Sequence, residues 1–367
     1  MPGKKPIRYA VVGLGHIAQV AVLPAFAHAR RNSRLVAVVS SDRSKRREVA
    51  RHYGLDHSFA YDEFDECLKV VDAVYIALPN SMHAEYTIRA ARAGVHVLCE
   101  KPMAVTVEEC RRMIAACRKG GVKLMIAYRL HFETVNLAAL AMARQGRLGE
   151  LKFFNSSFSM KVRRGDIRTR GNAGGGTLYD IGVYCINAAR NLFGAEPTQV
   201  SAVSINSGLA SLAEIDETTA AILRFGNDRV ASFVTSFNAA DVGSFRLVGT
   251  KGDLRVDPAY EYAEGLAWTL TVDGKKTKKE TGKRDQFAPE LIYFSDCILN
   301  DRKPEPSGEE GLQDVRIVQA LYRSARVGRP VSVPAFTDTH RPRQAQRITR
   351  PGIRKPRLVK VQSASRD

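Results

Sequence analysis

The sequence predicts a two-domain α/β protein: a doubly wound domain on a parallel sheet, followed by an α+β domain on a large, mostly antiparallel sheet. Three observations carry that prediction. The apolar run 7–12 ends on Gly13-Leu14-Gly15-His16-Ile17-Ala18; short β-branched runs alternate with helical segments as far as about residue 128; beyond it, apolar and polar side chains alternate.

Taken in order, the run 7–12 reads as a first buried strand, and Gly13 permits the sharp turn that ends it. Gly15 lets the backbone approach a pyrophosphate, and a helix opening at Ile17 offers unpaired N–H groups and a positive dipole end to the anion. The runs 35–39, 73–78, 95–99 and 122–127 are short and β-branched, as buried parallel strands are. Between them 44–53, 81–93 and 106–119 have helical periodicity, the last with Thr106 as N-cap and Glu109 three residues on as a capping box. This is a βαβ series of Rossmann type and sets the first domain at 1–128.

From 129 to 333 the period is two. Segments 152–160, 198–207, 218–225, 229–238, 245–249 and 266–272 alternate, with hairpin turns at Gly226-Asn227 and Asp273-Gly274. Helices are predicted at 177–192, 287–299 and 309–327. From Pro334 the composition turns to Pro, Arg, Lys, Gln and Ser, which predicts a basic flexible tail over 334–367, or an arm that orders on a neighbouring subunit.

A chain of 367 residues can bury two cores, and 44% hydrophobic with 26% charged residues is ordinary for a globular protein. No apolar stretch reaches the length that spans a bilayer, and no signal-peptide core precedes the first strand, so a cytoplasmic protein is expected. The six cysteines are scattered without a C-x-x-C pair, which predicts buried thiols and no metal site. The net charge of +18 is concentrated at the end: residues 341–367 hold nine basic residues against Asp367 alone. That stretch lacks interleaved aromatics and an amphipathic period, so no specific nucleic acid and no membrane partner is expected.

Two further segments point to chemistry. Glu100-Lys101-Pro102 places a lysine at the carboxyl end of a later strand of the same sheet, where such folds bind their ligands; its ammonium suits a substrate hydroxyl losing hydride. Gly174-Gly175-Gly176-Thr177-Leu178-Tyr179-Asp180-Ile181-Gly182-Val183-Tyr184 is expected to let the chain approach a ligand. Asp180 and Tyr184, four apart on one helix, supply a carboxylate and a phenol for acid–base work. The competing reading makes Asp180 a helix cap and Tyr184 a core residue. With the glycine turn, the lysine reads as part of a dehydrogenase site. After the second strand stand Ser40-Ser41-Asp42-Arg43-Ser44-Lys45. Hydroxyls of Ser40 and Ser41 beside Arg43 and Lys45 fit a 2′-phosphate, which favours NADP(H) over NAD(H) unless Asp42 turns inward.

These blocks, with Leu78-Pro79-Asn80-Ser81-Met82-His83-Ala84-Glu85, Ala127-Tyr128-Arg129 and Pro306-Ser307-Gly308-Glu309-Glu310-Gly311, resemble the glucose-fructose oxidoreductase and inositol dehydrogenase family, Gfo/Idh/MocA, over roughly residues 7 to 333. Tyrosine at 184 is similar to the glucose-fructose oxidoreductase branch. The resemblance implies that Lys101, Asp180 and Tyr184 surround the reacting carbon of a pyranose or keto-sugar, with Arg129 and Arg168 as sugar or cofactor contacts. It implies a cofactor site that includes Gly13, Gly15, His16, Ile17, Leu78, Pro79, Asn80, His83 and Glu100. The loop 160–172 departs from that branch, and so does the absence of an export signal and N-terminal arm. The rival reading is a non-catalytic nucleotide sensor of the same fold. The sheet face of the second domain, and the resemblance, predict a homodimer or homotetramer.

Overall fold

The computed structural model describes residues 5–336, 340–354 and 356–365. It comprises two compact units, Met1–Arg129 with Asp285–Leu312 and Ile348–Ser363, and Leu130–Arg284 with Gln313–Arg347 and Ala364–Asp367.

The first unit carries six parallel strands, β1 (Ile7–Val12), β2 (Ser33–Val39), β3 (His57–Phe59), β4 (Ala73–Ile76), β5 (His96–Glu100) and β6 (Leu124–Ala127), in the order β3-β2-β1-β4-β5-β6. Their side chains are almost wholly buried in β1 and β4, as a parallel sheet covered on both faces requires. Helices Arg43–Tyr53, His83–Arg92 and Val107–Lys119 form crossovers, and Thr106 with Glu109 makes the capping box that the spacing predicts. The strand order reverses at β1, which pairs with β2 on one side and β4 on the other. That crevice is where such sheets take ligands.

This unit is not confined to residues 1–128. The helix Ala288–Leu299, assigned by its position in the sequence to the second domain, belongs to the first. Tyr9 on β1 is fully buried, and its hydroxyl needs a partner; it lies 2.7 Å from Ser295 Oγ, which in turn lies 2.8 Å from Ser33 Oγ. Asn32 Nδ2 donates to Ile292 O at 2.9 Å and to Asp296 Oδ1 at 2.8 Å. Buried hydroxyls and amides on the sheet thus find their partners almost 300 residues away, a pairing that local periodicity does not reveal.

The second unit is built on nine strands: β7 (Leu151–Lys161), β8 (Pro197–Ile205), β9 (Thr218–Phe225), β10 (Arg229–Ser236), β11 (Asn238–Gly249), β12 (Gly252–Val256), β13 (Ala267–Val272), β14 (Lys275–Glu280) and β15 (Val331–Ser332). The order is β14-β13-β12-β11-β7-β10-β9-β8-β15, antiparallel except where β7 meets β10. The predicted turn at Asp273-Gly274 has the left-handed backbone that it needs, at φ 49° and 75°; at the other the left-handed residues are Asn227 and Asp228, φ 58° and 54°, one position beyond the predicted Gly226-Asn227. One face, with Phe154, Leu223, Phe225, Phe233, Leu247 and Leu254, is buried. The alternate residues Val203, Ile205, Ile222, Val230 and Val234 are exposed in the described chain, at 66% for Val203.

Within this unit the helix Val183–Phe193 buries Arg190 completely. Its guanidinium donates to Glu196 through Nε (2.7 Å) and Nη2 (2.9 Å), and to Asp314 through Nη1 (2.6 Å). Burial alone would raise the Glu196 carboxyl, but Arg190 and then Arg341 outweigh it and hold it below its ordinary range.

The stretch set apart above as a basic flexible tail makes specific contacts in each unit. In the second, Arg341 pairs with Glu196, and Arg144 Nη1 donates to Pro342 O at 2.6 Å. In the first, Arg350 Nε donates to His28 O at 3.2 Å and Gln19 grips Val359. Its polar composition hides this because the arm is held by hydrogen bonds and ion pairs, which leave no apolar period. Thr337–Thr339, Lys355, Arg366 and Asp367 lie outside the described residues.

Replacing Arg190 by alanine strands two carboxylates in the second unit, and a loss of roughly 3–5 kcal/mol in its unfolding free energy by urea titration is expected. A depressed carboxyl contributes stability above its unfolded pKa of about 4.3 and loses it as pH falls through the lower folded value. The wild-type chain should therefore show a stability loss below about pH 4 that Glu196→Gln reduces, read from thermal unfolding against pH.

Candidate active site

In the first unit the glycine turn, the loop after β2 and the ends of β4 and β5 all lie at the carboxyl edge of the sheet. Gly13 has φ +96°, and a Cβ there would stand 2.4 Å from Ala77 O, so only glycine lets β1 turn this close to the β4 end. At Gly15 a Cβ would meet nothing within 4 Å. It would instead occupy the open space in front of the helical segment 16–28, the space that a pyrophosphate fills in a dinucleotide site. His16 and Ile17 flank that opening and are half-buried. The residues present fit such a cofactor.

The loop after β2 resolves the question of Asp42. Its carboxylate caps the helix Arg43–Tyr53, accepting from Lys45 N at 2.9 Å, and this bond more than any charge holds its pKa low. A carboxylate committed to a cap does not serve as the acidic residue that binds a ribose 2′-hydroxyl. Ser40 is buried, Ser41 and Arg43 are exposed, and Arg46 Nη1 donates to Ser40 O at 3.3 Å. Arg46 was not among the sequence candidates; its place in the first turn of the capped helix was the available signal.

At the end of β5, Glu100 Oε1 accepts from Tyr75 OH at 2.8 Å and Oε2 from Lys101 N at 3.3 Å. Burial raises this carboxyl above its ordinary range although Lys101 and the tyrosine hydroxyl pull it down. Lys101 is half-buried, and the peptide that joins it to Pro102 is cis. His83 is fully buried, its ring nitrogens each 2.9 Å from a main-chain carbonyl, Pro102 O and Leu78 O. Sequence reasoning put His83 among cofactor contacts; the geometry makes it a brace between the β4 and β5 turns, with no surface left for a ligand. Pro79 and Asn80 remain half-exposed, while Leu78 is mostly buried.

Arg129 is also buried, donating through Nη1 to Gln286 Oε1 in a short hydrogen bond, with Glu100 and Glu290 in its field. Glu290 has neither carboxyl oxygen hydrogen-bonded among the described residues, and burial, with Glu100 nearby, pushes its pKa well above the ordinary value. A buried carboxyl with no hydrogen-bond partner among the described residues thus lies in the field of Glu100. Nothing in the pattern Ala288-Pro289-Glu290 distinguishes it from an ordinary acidic first turn.

In the second unit two of the three glycines are required by the chain itself. A Cβ at Gly175 would stand 2.3 Å from Arg168 O; one at Gly176, φ +116°, would meet Tyr322 Oη at 2.5 Å and Asp216 Oδ1 at 2.6 Å. Asp216 ties this start down, accepting from Thr177 N (3.1 Å), Thr219 Oγ1 (2.8 Å) and Tyr322 OH (2.7 Å), and bonding Thr177 Oγ1 closely. Leu178–Gly182 then forms a wide π turn before the helix Val183–Phe193. Asp180 sits in that turn and accepts from Arg168 Nε at 2.7 Å, while Arg168 Nη1 donates to Asp166 Oδ1 at 3.1 Å. Burial works against the Arg168 charge, but Asp180 and Asp166 outweigh it and raise its pKa. Tyr184, half-buried, lies in an aromatic cluster, 5.6 Å from Phe158 and 5.9 Å from Tyr260 between ring centroids. Asp180 is therefore partnered by a half-buried cation and is not the helix cap. The structure brings Arg168, Asp166 and Asp180 together in this unit, and Lys101, Glu100 and Arg129 in the other.

Comparison with known proteins agrees with both halves. The family model for the oxidoreductase family with an NAD-binding Rossmann fold matches residues 7–128, and that for the GFO/IDH/MocA C-terminal domain matches residues 136–255. D-xylose 1-dehydrogenase [NADP(+)] of Haloarcula marismortui is 32% identical over 331 residues, 87% of this chain and 91% of its own. The crystal structure of an aldose-aldose oxidoreductase from Caulobacter crescentus with glycerol aligns at TM-score 0.85 and 38% identity, over 89% of this chain and 100% of its own. A 3-ketoreductase from Actinomadura kijaniata, crystallised with NADP and TDP-benzene, aligns at 0.80 and 27% identity over 87% of this chain and 98% of its own. With the glycine turn, the Glu100-Lys101-Pro102 end of β5 and the Asp180–Tyr184 helix all in this order, the chain belongs to the GFO/IDH/MocA family of oxidoreductases.

Proposed function

We propose that this protein is an NADP-dependent oxidoreductase that moves a hydride between nicotinamide and a sugar, a pyranose or a keto-sugar. The observation that carries the reading is Lys101 at the carboxyl end of β5, two strands from the point where the sheet order reverses, in a family whose relatives include NADP(+) xylose dehydrogenase and a keto-sugar reductase. Gly13, Gly15, His16 and Ile17 hold the pyrophosphate; Ser40, Ser41, Arg43 and Lys45, with Arg46, hold a 2′-phosphate. Pro79, Asn80 and Glu100 border the nicotinamide end.

When bound, the nicotinamide supplies the hydride acceptor or donor; the chain handles the proton. In the oxidation direction the sugar C–H bond breaks as hydride leaves and the hydroxyl proton passes to the phenolate oxygen of Tyr184, which becomes the phenol as the alcohol becomes a carbonyl. Lys101 donates a hydrogen bond to the same oxygen and stabilises its developing negative charge. Asp180, oriented by Arg168, fixes the sugar beside it. Arg168 serves through Asp180, and Arg129, buried against Gln286, serves the Glu100-Lys101 turn rather than the sugar. The six buried thiols suit a reducing compartment, and we place the protein in the cytoplasm.

The reading is tested by mixing the protein with NADP+ or NAD+ and a panel of aldoses and following nicotinamide absorbance. Lys101→Ala and Tyr184→Phe should each lower turnover about 10²–10⁴-fold while nucleotide still binds by calorimetry. Bound nucleotide with unaltered wild-type and variant rates, or none at all, would turn the assignment toward a sensor.

The exposed apolar face of the nine-stranded sheet supports a homodimer or homotetramer joined there. Light scattering should give a multiple of the 40.5 kDa chain, and Ile205→Lys with Ile222→Lys should return the monomer.

A further inference from the structure

The C-terminal arm meets the glycine turn through a single buried amide. Gln19, 3% exposed, accepts from Val359 N through Oε1 at 2.7 Å, and its Nε2 donates both to Val359 O at 3.0 Å and to Leu14 O at 2.9 Å. Leu14 is the middle residue of the Gly13–Gly15 turn. Two residues earlier, Arg357 Nη2 donates to Glu48 Oε1 at 2.9 Å on the helix Arg43–Tyr53. The arm is thus fixed on both sides of the loop after β2.

The next residue is Lys360, with φ +50°. A long, unbranched side chain gains nothing from the left-handed region, so a non-glycine residue there is uncommon and points to a constraint imposed by position. What the position achieves is reach: Lys360 Nζ lies 2.5 Å from Ser44 Oγ and 3.8 Å from Asp42 Oδ2, on the loop that faces the adenosine ribose in folds of this kind. Asp42 is already committed to Lys45 N, and the ammonium remains exposed.

We propose that Lys360 is a cofactor-selecting residue, which binds the 2′-phosphate of NADP(H) from the C-terminal arm. The proposal rests on the cofactor reading above. A phosphate monoester carries about −1.5 to −2 charge at neutral pH and three acceptor oxygens. Arg43 and Lys45 approach it from the capped helix, and Lys360 approaches from a segment more than 300 residues away. An ammonium that merely anchored the arm would stabilise the loop for either nucleotide; one that binds the phosphate separates NADP from NAD.

The experiment uses the full chain and measures dissociation constants for NADP+ and NAD+ by calorimetry, for wild type, Lys360→Ala, Lys360→Arg and Arg357→Ala. Lys360→Ala should weaken NADP+ about tenfold, at the low end for a charge-assisted hydrogen bond at an exposed site, with NAD+ changed less than about twofold. Lys360→Arg should recover most of the loss, and Arg357→Ala should leave the ratio of the two constants unchanged. A Lys360→Ala variant that loses both nucleotides equally, or neither, overturns the proposal and leaves the lysine as an anchor. A wild-type chain that binds NAD+ as tightly as NADP+ overturns the cofactor reading itself, and the selection by Lys360 with it.

Discussion

There is no room for a side-chain carbon between Gly13 and the main chain of Ala77, and the first unit is arranged around that contact. Gly13 N donates to Val39 O at 2.9 Å and Ala77 N to Val12 O at 2.8 Å, so the turn is bonded to β2 on one side and the β4 end is bonded to β1 on the other. This closeness brings the openings after β1, β2 and β4 to one edge and aims the helical segment 16–28 at their crevice. Every nucleotide-facing group then follows from where the backbone has already been put.

The lysine at the end of β5 depends on a different kind of support. Glu100 and His83 lie next to it, and Glu100 is in turn in the field of Arg129 and Glu290, with Gln286 bonded to Arg129; most of these are buried and ionisable or amide. Such groups are costly to bury unless paired, and here they share a small number of partners. His83 ties two turns to each other, Tyr75 holds Glu100, and Glu290 has no hydrogen-bond partner among the described residues. In the second unit the same principle recurs with Arg168 between Asp166 and Asp180, and with Arg190 between Glu196 and Asp314. In both cases a guanidinium sets the position of a carboxylate, Asp180 on the Leu178–Phe193 helical segment and Glu196 just beyond it.

Periodicity and turn chemistry made most of the fold legible. The parallel strands are continuous apolar runs, and the capping box at Thr106 and the turns at Asn227 and Asp273 have strict stereochemical requirements that few sequences meet by accident. What escaped has no such signature. β14, Lys275-Lys276-Thr277-Lys278-Lys279-Glu280, is exposed along its whole length, so it carries no apolar alternation; it is an edge strand guarded by charge. β3 has only three residues. The helix Ala288–Leu299 reads correctly as a helix but its partner is set by Tyr9 and Ser33, which no local window contains. Among the proposed site residues, Lys101, Asp180 and Tyr184 stand out in the sequence because strand ends and glycine-preceded helices are where chemistry is commonly placed. His83, Gly175 and Gly176 face the chain itself in the structure, because a motif shows which residues matter and not whether they face a ligand or one another. Gln19 and Lys360 were invisible because their contacts, with Val359 and with Ser44, join segments more than 300 residues apart.

The first unit is made of three stretches of chain, the last beginning at Ile348. A nascent polypeptide therefore exposes the β1 turn early, yet Gln19 receives its partner Val359 only after 340 further residues have been made. During synthesis at about 5–20 residues per second, that buried amide waits tens of seconds without its final hydrogen bonds. The unit that begins to be translated first is thus not finished early: synthesis of the stretch that carries Val359, rather than emergence of the glycine turn, sets the moment at which the nucleotide-binding unit is closed.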